Sequence, residues 1–231
     1  MSKLSTDECM ERLGVSFKNT TLLTEALTHR SYINENRGVT HTHNERLEFL
    51  GDAVLELAAT HYLFEKFPTK PEGELTSYRA ALVNTVSLAT IASTLGVNDM
   101  LLLSKGEAKD LGRARQIILA NAFEAILGAL YLDQGMSAVV EFLEHNLFPT
   151  IDEILKERSW QDAKSKFQEI AQDKAGVTPH YETVSQTGPD HDRHFIVGVY
   201  LGKEEVARGD GKSKQDAEQS AAKAGLQKKG W

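Results

Sequence analysis

The chain predicts a two-part protein: an all-helical domain over residues 1–156, a linker at 157–161, and an α+β unit of order α-β-β-β-α over 162–231. Three observations carry that reading. From Thr6 to about Leu155 apolar residues recur at helical spacing, with no strand alternation. The stretch Glu157–Asp162 is short and polar. Beyond it, alternating apolar and polar runs lie between two helix-period segments.

In the first part the spacing predicts helices at Leu22–Leu27, Asn44–Phe64, Glu74–Thr94, Gln116–Leu132 and Ala138–Leu155. Turn signals separate them at Phe67–Gly73, Gly96–Asp99 and Asp133–Met136. In the second part a helix at Ala163–Ala175 precedes strands at Tyr181–Ser185, Phe195–Leu201 and Glu205–Arg208. A last helix spans Ser213–Lys228, where Ser213 and Asp216 have the spacing of a capping box. No internal repeat or low-complexity tract interrupts either part.

The stretch Asn44–Asp52, NERLEFLGD, is the most informative. At 100° per residue Glu45, Glu48 and Asp52 fall within roughly 60° of one another, and Leu47, Leu50, Val54 and Leu57 gather opposite. The expectation is an exposed acidic cluster on a helix with a buried back. Three like charges in register repel, so a cation is wanted. Phe49 falls on the acidic side, away from its own apolar stripe, and a partner subunit is one way to cover it.

A second acidic signal lies downstream. Between Ile117 and Leu130 every residue is apolar or glycine except Asn121 and Glu124. They share one face of a helix that otherwise reads as buried, where an uncompensated carboxylate costs several kcal/mol. Hydrogen bonds to buried backbone or to an arginine are the plainer explanation; a shared ligand site is the sharper one.

Composition sets outer bounds. The chain has 231 residues, 41% of them hydrophobic and 26% charged, enough for packed cores. Its longest apolar run, Ala125–Leu132, is too short for a membrane span. A single cysteine, Cys9, excludes an internal disulfide and suits a reducing cytoplasm, and the N-terminal residues lack a secretory apolar core. The net charge of −7 argues against nucleic acid taken whole. The acidic excess, however, lies entirely in residues 1–159, whereas residues 160–231 are balanced with 11 basic and 11 acidic side chains. His41 and His43 stand in a polar loop with no cysteine pair, so they are expected to be solvated rather than zinc ligands. His29 is expected to pack or hydrogen-bond.

NERLEFLGD, with ALTHRS at Ala26–Ser31, EGELTSYRAALV at Glu72–Val83 and LANAFEAILGALYLD at Leu119–Asp133, resembles the bacterial ribonuclease III family. The C-terminal third resembles a double-stranded-RNA-binding domain. The resemblance implies a homodimeric endoribonuclease that hydrolyses double-stranded RNA with Mg²⁺, which Mn²⁺ can replace, and processes ribosomal RNA precursors and other structured transcripts. It implies a metal site of Glu48, Asp52, Asn121 and Glu124, with Asp52 and Glu124 catalytic. Oxygen-only ligands suit these hard cations. Glu45 and Glu72 match supporting acids; the alternative is plain solvated glutamates. Phe49 is expected at the dimer interface. Relatives commonly carry aspartate where this chain has Asn121, which leaves an oxygen ligand but removes a charge.

For the second domain the resemblance implies three RNA contacts. Gln168, Glu169 and Gln172 share a helical face suited to 2′-hydroxyls in the shallow minor groove of A-form RNA. His191, in the loop Gly188–His191, would enter the next minor groove. Lys212, Ser213 and Lys214, at a helix N-terminus, would face phosphates across the major groove. Gln215 and Glu218 stand where such domains are often basic. Two other readings remain: an RNA-binding regulator whose cleavage is weak because of Asn121, and a helical scaffold with an incidental acidic face. The second leaves Phe49 and the Asn121–Glu124 pair unexplained. No membrane and no small-molecule cofactor are expected.

Overall fold

The computed structural model describes residues 4–109, 112–157, 163–188 and 193–231. The chain divides into two compact units, Met1–Trp160 and Gln161–Trp231.

The first unit is helical among its described residues: α1 Thr6–Leu13, α2 Thr20–Ala26, α3 Arg30–Glu35, α4 Glu45–Lys66, α5 Glu72–Leu82, α6 Thr85–Thr94, α7 Val97–Met100, α8 Arg113–Gln134, α9 Met136–Asn146 and α10 Ile151–Glu157. Ser5 and Glu8 form a reciprocal capping box at the start of α1, and Gly14 ends that helix with φ 68°. Helix α8 is the hub, packed against α2, α4, α6, α7 and α9. It buries Phe123, Ile126, Leu127 and Leu130, and Phe123 and Leu127 are wholly inaccessible. By length and apolarity α8 could cross a membrane, but most of it is buried here, as a core helix should be.

At its C-terminal end α8 ties down the chain's beginning. The Asp133 carboxylate accepts from the backbone N–H groups of Lys18 and Asn19, both at 2.8 Å. Two glycines set the α4–α8 crossing. A Cβ on Gly51 would fall inside the Glu124 carbonyl, and one on Gly128 inside the Leu47 carbonyl. No side chain separates the two backbones at this point, so the residues flanking each glycine face one another.

Several sequence expectations need correction. The expected helix Glu74–Thr94 is two helices: the chain breaks at Val83–Asn84, and the Asn84 side chain accepts from the Ser87 N–H to begin α6. Ala138–Leu155 is likewise broken, by a 3₁₀ turn at Phe148–Thr150 that contains Pro149. Gly96, at φ 74°, opens the short helix α7 where a plain turn was expected. Leu57 is not on the buried side: it is 60% exposed, and the face α4 presents to the core is Leu47, Gly51, Val54, Leu55, Ala58, Ala59 and Leu63. Ile117, at 45% exposed, also lies outside the core.

The second unit comprises α11 Ala163–Ala175, β1 His180–Thr187, β2 His194–Leu201, β3 Glu204–Gly211 and α12 Lys214–Lys229. The strands form an antiparallel sheet in the order β1-β2-β3. Its own small core is built on Phe167, Val199, Val206, Ala221, Ala222 and Leu226. Gly209 and Gly211 leave β3 flush against the α12 backbone, with no room for a Cβ at either position.

Candidate active site and nucleic-acid interface

The Gly51–Gly128 crossing places Glu48 and Asp52 of α4 beside Asn121 and Glu124 of α8. Glu48 is half-buried rather than exposed, and it hydrogen-bonds the Asn121 side chain. Burial, with the charges of Glu45 and Asp52, raises its carboxyl above the ordinary range, and the Asn121 bond works against that rise. Glu124 is also half-buried; burial first, then the charges of Asp52, Glu48 and Glu56, pushes it up to about 7. None of Glu48, Asp52 and Glu124 enters an ion pair among the described residues.

Glu45 meets Arg30 at 3.2 Å, and His43 stands 3.8 Å away on its other side. Glu72 is not among the groups whose charge bears on Glu48 or Glu124. In the first turn of α5 it accepts from Thr76 at 3.0 Å and lines a separate hollow of about 220 Å³ with Thr60, Leu75 and Arg79. Asn44, just ahead of α4, turns inward and donates to the Ala26 carbonyl, tying NERLEFLGD to ALTHRS. His29 caps α3 and bonds the Ser31 hydroxyl at 2.8 Å. His41 and His43 are half-buried, not solvated: His41 Nε2 lies 3.0 Å from the Thr28 hydroxyl. Sequence reasoning missed Glu56, paired with Arg79 at 2.8 Å, although its position one turn beyond Asp52 was a usable signal.

The donor set suits a hard cation on two grounds. All four side chains offer oxygen, and the three carboxylates have no ion-pair partner among the described residues while two of them are half-buried. Among the described residues no three His, Cys, Asp or Glu side chains stand close enough to hold a metal by themselves. A cation here would therefore also draw on Asn121, on water and on rotation of the side chains.

In the second unit Gln168 and Glu169 are exposed on one face of α11, and Gln172, also exposed, donates to the Thr178 hydroxyl at 3.2 Å. Ser213 caps α12 by accepting from the Asp216 N–H at 3.1 Å. The Asp216 carboxylate returns to the Ser213 hydroxyl at 2.7 Å rather than to its backbone, so the expected capping box is closed between side chains. Lys212 and Lys214 flank this cap, exposed and outside the ion pairs of the described residues. Glu218 is held by Lys164 at 2.6 Å, which joins α12 to α11. His191 lies outside the described residues.

Residues 19–151 match the ribonuclease-III-like family, and residues 163–229 match the double-stranded RNA binding motif. Together with the acidic crossing, these matches define an endoribonuclease of the hydrolase class joined to an RNA-binding module. The chain is 47% identical to ribonuclease 3 of Geobacillus kaustophilus, over 95% of its own length and 89% of that protein's. It is 46% identical to ribonuclease 3 of Enterococcus faecalis over 98% of both chains. It also resembles the solved nuclease domain of ribonuclease III from Campylobacter jejuni, a structure described for flexibility in a region involved in dimer formation. The identity is 41% and the TM-score 0.55, covering 63% of this chain and 99% of that one. The chain belongs to the ribonuclease III family.

Proposed function

We propose that this protein hydrolyses phosphodiester bonds of double-stranded RNA with Mg²⁺ at the α4–α8 crossing, and that structured transcripts such as ribosomal RNA precursors are its substrates. The observation that carries the reading is Glu124, a half-buried acid pushed up to about 7 and facing Asp52 and Glu48. When bound there, a divalent cation supplies Lewis-acid polarisation of the phosphodiester and activation of the attacking water. Glu48, Asp52, Asn121 and Glu124 hold it, and Asp52 and Glu124 are the catalytic carboxylates. Glu45, positioned by Arg30, supports this shell. Glu72, in the first turn of α5, would support the substrate or the metal shell. Gln168, Glu169 and Gln172 contact 2′-hydroxyls, Lys212, Ser213 and Lys214 contact phosphates, and His191 would complete the binding face. Incubating duplex and single-stranded RNA with the protein, with and without Mg²⁺, tests the reading. Metal-dependent cutting of duplex alone is expected. Duplex binding without cleavage at any metal concentration would instead identify an RNA-binding regulator.

Asn121 offers a graded test. A neutral amide keeps an oxygen toward the cation but adds no attraction, so the Mg²⁺ requirement should be high and Mn²⁺ should serve better at low concentration. Asn121→Asp should lower the Mg²⁺ concentration for half-maximal rate by about tenfold, with a smaller change at saturation. An unchanged metal titration would remove Asn121 from the ligand set.

A homodimer is the proposed assembly. Phe49 is 81% exposed, and Leu57 and Phe64 on the outward side of α4 are 60% and 70% exposed. One exposed leucine is ordinary, but a run of aromatic and aliphatic side chains along one helix marks an interface. Phe49→Ala should shift the sedimentation profile toward monomer. A wild-type chain that is monomeric at working concentration would sink the proposal.

A further inference from the structure

Glu45, Glu48, Asp52 and Glu56 climb one side of α4 at i, i+3, i+7 and i+11, so the acidic face has four rungs rather than three. Among the described residues the outer rungs are ion-paired and the inner ones are not. At one end Arg30 Nη1 lies 3.2 Å from Glu45 Oε1. At the other, Arg79 of α5 sets its Nε 2.8 Å from Glu56 Oε2 and donates from Nη1 to the Thr60 hydroxyl at 2.8 Å. That second bond, one turn further along α4, fixes the guanidinium lengthwise against the helix.

We propose that Arg79 is a positioning residue for the carboxylate site: acting through Glu56, it bounds the site at its α5 end and keeps a fourth acid from joining it. This rests on the reading that Glu48, Asp52 and Glu124 bind a divalent cation.

Two facts favour a role in charge placement over one in stability. The pair is well solvated, with side-chain exposures of 35% for Arg79 and 41% for Glu56, and ion pairs of that kind add little to folding. Yet Glu56 is near enough for its charge to bear on Glu124. A freed Glu56 would add a full negative charge beside the site and a carboxylate able to swing toward it. Removing Glu56 instead would leave the Arg79 charge without its ion-pair partner at the same edge.

The two substitutions should therefore move metal binding in opposite directions, which no loss of helix packing would do. The test is calorimetric titration of the full chain with Mn²⁺ in the absence of RNA. Arg79→Gln should lower the half-saturating concentration about three- to tenfold, and Glu56→Gln should raise it by a similar factor. Arg79→Lys and the double variant Glu56→Gln/Arg79→Gln should both stay within about twofold of wild type. If Arg79→Gln fails to fold, the rise in Glu56→Gln together with wild-type behaviour in Arg79→Lys still decides the sign. Shifts in the same direction, or none in variants alongside an Asp52→Asn chain that no longer binds Mn²⁺, would overturn the role of Arg79 alone. Failure of the wild type to bind Mn²⁺, or unaltered binding by Asp52→Asn, would overturn the metal-site reading and this inference with it.

Discussion

Glu124→Gln should cut the rate of duplex RNA cleavage by on the order of 10³-fold while leaving duplex capture intact, because capture belongs to a separately folded unit. The same substitution should stabilise the metal-free protein. The Glu124 carboxyl is raised from an ordinary 4.5 to about 7 by burial and by Asp52, Glu48 and Glu56. Folding therefore takes up a proton between those values, and this residue's contribution to stability falls as pH rises from about 4.5 through about 7. Glutamine bears no charge at any pH. Its advantage over glutamate should be about 1 kcal/mol or less near pH 5 and reach about 3 kcal/mol at pH 8. Thermal melts in chelator at the two pH values test this: an equal gap at both would mean that Glu124 ionises freely.

Gly128→Ala should be among the most damaging single-methyl additions in the chain. Its new Cβ would meet the Leu47 carbonyl, a backbone atom that cannot rotate away, and would lie 3.1 Å from the Gly51 nitrogen. Forcing the helices apart should cost about 3 kcal/mol and move Glu48 and Asp52 away from Asn121 and Glu124. Melting temperature and cleavage rate should fall together. Gly73→Ala is the control, since no atom lies within 4 Å of a Cβ there and Gly73 sits within α5, where alanine is the better helix former. Wild-type stability and rate in Gly128→Ala would show that the helices are not held at backbone contact.

The division into a helical and an α+β part, the acids of NERLEFLGD and the Ser213 cap were all legible because each follows from local spacing. The orientation of α4 was legible only in part: Leu47 and Val54 are buried as expected and Leu50 packs on the core, but Leu57 is exposed. Bulky leucines draw a helical wheel toward Leu57, but the close approach to α8 is made at Gly51, where the missing side chain is what permits it. A wheel weighted by hydrophobicity misses a face chosen for closeness. The breaks at Asn84 and Pro149 were hidden for another reason: apolar periodicity runs across them, and one capping side chain or one missing N–H decides. Glu72 was placed with the other acids by resemblance, and position along the chain could not reveal its bond to Thr76 or the hollow it lines with Thr60 and Arg79. Arg79 and Glu56 were unreadable as a pair because they lie on different helices.

The hub position of α8 also bears on how the protein is made. A ribosome delivers α4, with Glu48 and Asp52, long before α8 with Asn121 and Glu124. Until α8 arrives, α2, α4 and α6 lack the surface they pack on, and Lys18 and Asn19 lack the Asp133 carboxylate that fixes them. Growing chains fold by completed units. The unfinished polypeptide, threaded through a particle built largely of RNA, therefore carries only two of the four site residues, on a helix not yet packed. Cutting power arrives in the same step as the core, when the newborn chain has nearly all of its first unit outside the tunnel.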